Sequence, residues 1–565
     1  MKIFPPYLKP VNVFILFLLL AGIISCQSQT QKADLIITHA NIWTGNENQP
    51  RAESIAITSD SILFVGSNEE AMEFQGNDTE MIQLNGEFIC PGFIDAHIHL
   101  MEAGLGLAGV QLRDANSREE FVSRIGEYAK TLEPGVWILF GNWDHTLWGG
   151  ELPTKDWIDE VTPDSPVFIS RLDGHMALAN SRALELSGVD RHTADVEGGM
   201  IVRDQDGIPT GILKDNAIEL VHKHVPPPNP THSDEALAKA MEYLASNGIT
   251  SVHDMSAFDP QFGSYDAMQR AIDNQTVITR VYAVNPLPKW LNLVDHISNN
   301  GTGNKWLKTG GLKGFVDGSL GAKTAALTEP YQDEKDYRGL LINREEDLFT
   351  WISDADEASL QVMVHAIGDR ANHLLLDIYE QVASEDGEKD RRFRIEHAQH
   401  ILPDEIERFG QQGVIASMQP IHIVDDGRWA VERIGPERVK TSYPFRTMLN
   451  TGATLAFGSD WPVAAAVPLK GMYAATTRRT SDGKNPGGWI PEEKISAEEA
   501  LIAFTRNAAY ASFDENVKGT LEPGKLADFV VIGEDITKID PVELWDLKVW
   551  QTWVGGRRVY QLNND

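Results

Sequence analysis

Short apolar runs, each followed by an amphipathic stretch, recur through the middle of the chain. They include Gly248-Ile-Thr-Ser-Val-His253, Leu360-Gln-Val-Met-Val-His365, Arg394-Ile-Glu-His397, Gly413-Val-Ile-Ala-Ser417 and Ala453-Thr-Leu-Ala-Phe457. Each run has strand length and ends where helix-forming sequence begins. Alternation of strand and helix predicts a parallel α/β architecture. Residues 91–512 suffice for a (β/α)8 TIM-like barrel, which takes about 250 residues, with room for insertions. The stretch at 141–215, rich in Gly, Asp and Trp, reads as a long insertion near the barrel mouth.

The flanks follow another pattern. Asp34–Ile42, Ser54–Ile57 and Ser61–Val65 are short β-rich runs separated by turn residues. Similar runs return at Leu526–Ile532 and Val549–Val554, where Gly555-Gly556 turns into Arg557–Tyr560, a predicted hairpin. Residues 33–90 and 513–565 are therefore expected to form one small composite β-sandwich domain, with the barrel inserted between its halves.

The extreme N-terminus is a targeting segment. Lys2 and Lys9 precede the apolar stretch Val11–Ile24, too short to span a bilayer comfortably and suited to a secretory signal. Ile23-Ile-Ser-Cys26, followed by polar residues, resembles a bacterial lipoprotein signal. That resemblance implies a signal peptide at 1–25, lipid on Cys26, a tether at 26–32 and an extracytoplasmic, membrane-anchored protein. A plain secretory signal with an incidental cysteine is the other reading, and it also places the protein outside the cytoplasm. Cys90, the second cysteine, is expected to be a lone buried thiol.

Composition adds exclusions. The 565 residues are 42% hydrophobic and 23% charged, ordinary for a folded protein that needs no disulfide framework. A formal net charge of -33 repels phosphates and anionic surfaces, which sets aside nucleic-acid binding. It is compatible with a cationic substrate without demanding one. No feature singles out a self-associating face, so the oligomeric state is left open.

The chemistry starts at His97 and His99, which close the strand-like Phe93-Ile-Asp-Ala. Alternate side chains on a strand share a face, so both imidazoles can aim at one ion. Two ordinary histidines near a loop explain that pair equally well. His365, His397 and Asp460 each follow another predicted strand, and a barrel would bring them to the same rim. Lys313, in Gly311-Leu-Lys-Gly-Phe-Val-Asp317, is either a lysine buried against a carboxylate such as Asp317 or, once carbamylated, an anionic bridging ligand.

Pro91-Gly-Phe-Ile-Asp-Ala-His-Ile-His99, Lys313 with Asp317-Gly-Ser-Leu-Gly321, Val364-His-Ala-Ile-Gly-Asp-Arg370, Ile395-Glu-His-Ala398, Gly458-Ser-Asp-Trp-Pro462 and Gly519-Thr-Leu-Glu-Pro-Gly-Lys-Leu-Ala-Asp-Phe529 occur in that order. Together they resemble the amidohydrolase superfamily, and within it the subgroup of N-substituted formamide deformylase. The resemblance implies one ion on His97, His99 and Asp460, a second on His365 and His397, and N6-carboxylated Lys313 between them. With Lys313 unmodified, a single-metal site is expected. Imidazole and carboxylate suit zinc, with iron or manganese as alternatives. A bound ion lowers the pKa of its water towards about 7, and Asp460 would accept the proton as general base and return it to a leaving amine.

The expected reaction is hydrolysis of a non-peptide C–N bond in an amide, N-formyl or N-acyl amine. A same-fold isomerase or lyase and a non-catalytic metal-binding lipoprotein are the alternatives. His175, in Asp173-Gly-His-Met176, is placed as a catalytic or substrate-contacting residue. His422 and Trp143 are expected to line the substrate pocket, although packing accounts for them as well.

Overall fold

The computed structural model describes residues 1–2 and 31–563, so the signal segment and Cys26 lie outside the described residues. Among the described residues no helix is long and apolar enough to cross a membrane.

Eight parallel strands form the central sheet. They are β1 (Phe93–Ile98), β2 (Ile249–Asp254), β3 (Arg280–Pro286), β4 (Leu307–Phe315), β5 (Gln361–Ala366), β6 (Arg394–His397), β7 (Ile415–Met418) and β8 (Thr454–Phe457). Every residue of β1, β2, β5, β6 and β7 is buried. Helices cover the outside and side chains fill the inside, so both faces of these strands are buried, including polar positions such as Asp95, His253, Arg394 and Glu396. The helix Pro230–Ser246 shows how the shell docks: Leu237, Ala240, Met241 and Leu244 form one buried stripe. Its neighbour Leu100–Gly106 approaches so closely that a Cβ on Gly104 would lie 2.5 Å from the Ala236 carbonyl oxygen.

The barrel closes between β8 and β1 without a full ladder. A single parallel bridge joins Ile98 to Trp461. The Asp460 N–H donates to the His97 carbonyl at 2.7 Å, and the His99 N–H to the Trp461 carbonyl at 2.8 Å. Asp95 Oδ1 accepts from the Ser459 N–H at 2.9 Å and the His97 N–H at 3.2 Å. Gly458 permits this approach, because a Cβ there would lie 2.6 Å from the His97 nitrogen. The seam is thus built from the residues that flank the chemistry.

Between β1 and β2 the chain makes a separate five-stranded sheet, in the order Gly199–Arg203, Pro209–Asp215, Met176–Ala179, Val167–Arg171, Ile138–Trp143. This sheet carries its own apolar core, including Phe121, Trp143, Ile169 and Leu178.

The additional sheet domain draws on both ends of the described chain. Phe529–Ile532 pairs antiparallel with Phe88–Pro91, setting Val530 opposite Cys90. Ile37, Ile55, Ile89, Phe529 and Trp553 from its two sheets share one core, and Cys90 is a buried free thiol. The terminal hairpin forms with both turn glycines in left-handed backbone, Gly555 at φ 56° and Gly556 at φ 69°, as a tight hairpin turn requires. Arg280 at the start of β3 pins this domain to the barrel. It donates to Asp528 through Nε at 2.6 Å and Nη2 at 2.9 Å, with side chains only 2% and 5% exposed.

Removing one member of a buried, bidentate pair strands the other charge and costs about 3–5 kcal/mol. Asp528→Ala is accordingly expected to destabilise the fold by about that much, read as a lowered urea midpoint of unfolding. An unchanged midpoint would show that the pair does not hold the two domains together.

Candidate metal centre

Parallel pairing delivers six side chains to one point at the C-terminal end of the barrel. His97 lies in β1 and His99 just beyond it, Lys313 in β4, His365 in β5, His397 at the end of β6, and Asp460 just past β8. Asp460 Oδ1 is 3.5 Å from His97 Nε2 and 3.4 Å from His99 Nε2. Lys313 Nζ is 3.2 Å from His97 Nε2. The His397 ring centroid is 4.8 Å from that of His97 and 4.5 Å from that of His365.

Each imidazole has one nitrogen held by a partner outside this cluster. His97 Nδ1 is 2.5 Å from Glu396 Oε2, and His99 Nδ1 is 3.2 Å from Ser256 Oγ. His397 Nδ1 is 2.7 Å from Gln419 Oε1, and His365 Nε2 is 3.1 Å from the Gly318 carbonyl oxygen. Such partners fix the tautomer and ring orientation of a metal-ligating histidine. The backbone helps. His397 at φ 73° and Asp460 at φ 60° adopt left-handed conformations that non-glycine residues rarely take. At His397 this breaks the strand's alternation, so that consecutive Glu396 and His397 both reach His97.

Burial sets the electrostatics. It pushes His97, His365 and His397 well below the usual imidazole range, keeping them neutral, as ligation requires. Burial opposes ionisation of Asp460 too, but His97, His99 and His422 outweigh it and hold the carboxyl below its ordinary range. Burial brings Lys313 down to about 8 against the pull of Glu396 and Asp460. Lys313 does not pair with Asp317, whose oxygens accept the backbone N–H groups of Ala326, Ile367 and Gly368 at 2.8–3.0 Å. The structural-lysine reading therefore fails for that partner.

These residues fit a divalent cation. Asp460 Oδ1 is buried without a hydrogen-bond partner, a costly state for a carboxylate oxygen unless something else satisfies it. The ligand atoms of His97, His397 and Asp460 all lie within 4.8 Å of one another.

Two adjoining cavities, of about 740 Å³ and 550 Å³, open onto the centre, and both are lined by Asp460, His365, His397 and His175. The inserted sheet supplies their roof. His175 stands beside His365, with ring centroids 4.8 Å apart, and its Nδ1 is 2.7 Å from Asp215 Oδ1. Burial opposes its protonation, but the Asp215 hydrogen bond and charge prevail and raise it above the usual imidazole range. His422 lines the smaller cavity, with Nε2 3.3 Å from the Ser459 carbonyl oxygen.

Trp143 does not line either cavity. It is fully buried in the insertion's own core, donates Nε1–H to the Ile169 carbonyl at 3.0 Å and packs edge-on against Phe121. The expectation of a pocket residue failed because the neighbouring Asn142, at φ 55°, takes the cavity-facing position. Sequence reasoning also missed Arg171 and Asp173. Arg171 donates to Asp173 Oδ2 at 2.5 Å, and Ser319 Oγ donates to the same carboxylate. Their alternation with His175, at 171, 173 and 175, was the available signal.

The chain is 41% identical over 546 residues to Protein LONG AFTER FAR-RED 3 of Arabidopsis thaliana, covering 94% of this chain and 92% of that protein. It is 27% identical over 551 residues to N-substituted formamide deformylase of Arthrobacter pascens, covering 94% and 99%. An uncharacterized metal-dependent hydrolase from Pyrococcus horikoshii OT3 superposes with a TM-score of 0.72 at 29% identity, over 90% of this chain and 99% of that one. The amidohydrolase family signature matches residues 80–560, which hold the whole barrel and part of the sheet domain, and the chain belongs to the amidohydrolase family.

Proposed function

We propose that the protein is a metal-dependent hydrolase of non-peptide C–N bonds, acting on N-formyl or N-acyl amines. The observation that carries this reading is the convergence of four imidazoles, a buried lysine and an orphaned carboxylate oxygen on one point at the wall of a cavity. His97, His99 and Asp460 would hold one zinc ion and His365 and His397 a second, with N6-carboxylated Lys313 between them. The absence of a carboxylate partner for Lys313 within 4.0 Å among the described residues supports this modification. Bound metal supplies Lewis acidity and makes hydroxide available near neutral pH.

The chain's own residues would do the rest. Asp460, kept ionised, takes the proton of the attacking water and returns it to the departing nitrogen. His175, protonated and oriented by Asp215, donates a hydrogen bond into the cavity, where charge develops on the carbonyl oxygen of the substrate. The inserted sheet excludes bulk water above the centre. The likeness to N-substituted formamide deformylase supports the N-formyl class. The lipoprotein-type sequence around Cys26 supports an extracytoplasmic, lipid-anchored location.

Two substitutions separate catalysis from metal retention. Asp460→Ala is expected to abolish amide turnover while metal is retained on the remaining ligands, read by single-turnover assay beside elemental analysis. His175→Ala removes a donor aimed at the developing charge and is expected to lower kcat/KM by about 10²–10³ with the metal content unchanged. Wild-type turnover in either variant would remove that residue from the mechanism.

A further inference from the structure

The smaller cavity holds two adjacent carboxylates that differ in one respect. Asp425 is neutralised: Arg113 Nη2 lies 3.2 Å from its Oδ2 and Arg428 Nη2 3.5 Å from its Oδ1. Asp426 has no such partner. Its Oδ2 accepts from Tyr443 Oη at 2.6 Å and Gln399 Nε2 at 2.7 Å, and no hydrogen bond reaches its Oδ1. Among the described residues no basic nitrogen comes within 4.0 Å of either oxygen. Both guanidinium groups of the cavity are already committed. Arg113 donates to Asp425 and the Val463 carbonyl, and Arg171 to Asp173 with Asp144 alongside.

The surroundings narrow what Asp426 could meet. Gln399, which grips its Oδ2, stands two residues beyond His397 in the chain, so the carboxylate is tied directly to the metal-facing end of β6. The partly buried Trp429 lines the same cavity. Leu172, Leu320 and Ile367 add apolar surface to a lining that also holds the paired Arg171 and Asp173. A carboxylate and an indole in one cavity with such surface suit an ammonium or similar N–H donor at the end of a short hydrocarbon chain. A ligand carboxylate in that corner would face Asp426 instead.

We infer that Asp426, with Trp429, is a specificity-determining site for a second, cationic nitrogen carried by the substrate at the end remote from the scissile amide. The substrate class is then a mono-N-acylated or mono-N-formylated diamine, or an amide of like layout. This rests on the proposed amide hydrolysis only for what lies at the metal end; the recognition of the cation stands on the cavity itself.

Calorimetry on the purified, metal-loaded protein separates the two. At pH 8, above the value of about 7 to which burial chiefly pushes Asp426, hexylamine, an ammonium at that pH, is compared with the uncharged 1-hexanol. The ammonium is expected to bind roughly tenfold tighter or more, as a charge-assisted hydrogen bond gives. Asp426→Asn should collapse that ratio, and Trp429→Leu should reduce it severalfold, giving a second reading should the first variant fold poorly. A ratio near one, a preference for 1-hexanol, or a ratio that survives Asp426→Asn in a folded protein overturns the inference. Turnover of mono-N-formyl-1,5-diaminopentane and N-formylhexylamine is measured in parallel. If neither is hydrolysed while the binding ratio holds, the N-formyl amide reading falls and the cation site stands.

Discussion

The hydrogen bond between Glu396 and His97 is the constraint on which the centre depends. It is 2.5 Å long, and both side chains are wholly buried. It decides which nitrogen of His97 faces the ion, and it puts an anion where no water can reach it. That anion is affordable because Arg394 donates to Glu396 Oε1 at 2.7 Å from the same strand. Arg394 in turn donates to the Ala96 carbonyl and to Ser417 Oγ, and meets His253 Nδ1 at 2.9 Å. Strands β1, β2, β6 and β7 are thus locked together beneath the centre by one polar network. Loss of Arg394 or Glu396 would leave the other charge buried and uncompensated, which is costlier than the pair is stabilising.

The same logic extends to the barrel's closure. Where β8 meets β1 there is no ladder, only the bridge and backbone bonds around His97, His99, Asp460 and Trp461. Asp95 clamps the turn after β8, and Gly458 clears the space. Ligand geometry and barrel closure are therefore one problem, solved by the same residues. The left-handed backbone at Asp460 and His397 is strain of the kind that persists where surrounding structure over-determines it.

The meeting of these side chains was readable in part, because each lies at or just past a strand and a parallel barrel sends all strand ends to one rim; their roles as ligands came from the family resemblance. The composite sheet domain was legible from β-rich runs at both ends. What stayed hidden depends on backbone sign and long-range packing. The direction of Glu396 could not be read, because the left-handed turn at His397 breaks the alternation. Trp143 was misplaced for the same reason, through Asn142. Gln419, Asp215 and Asp426 act only through residues distant in sequence, and nothing in their own neighbourhoods marks them.

Whether these side chains form a metal centre that performs hydrolysis is decided by elemental analysis of the purified protein, with amide turnover measured on the same sample before and after chelation. One or two transition-metal ions per chain are expected, with activity lost on removal and restored by zinc. A protein free of such ions and fully active would overturn the metal centre.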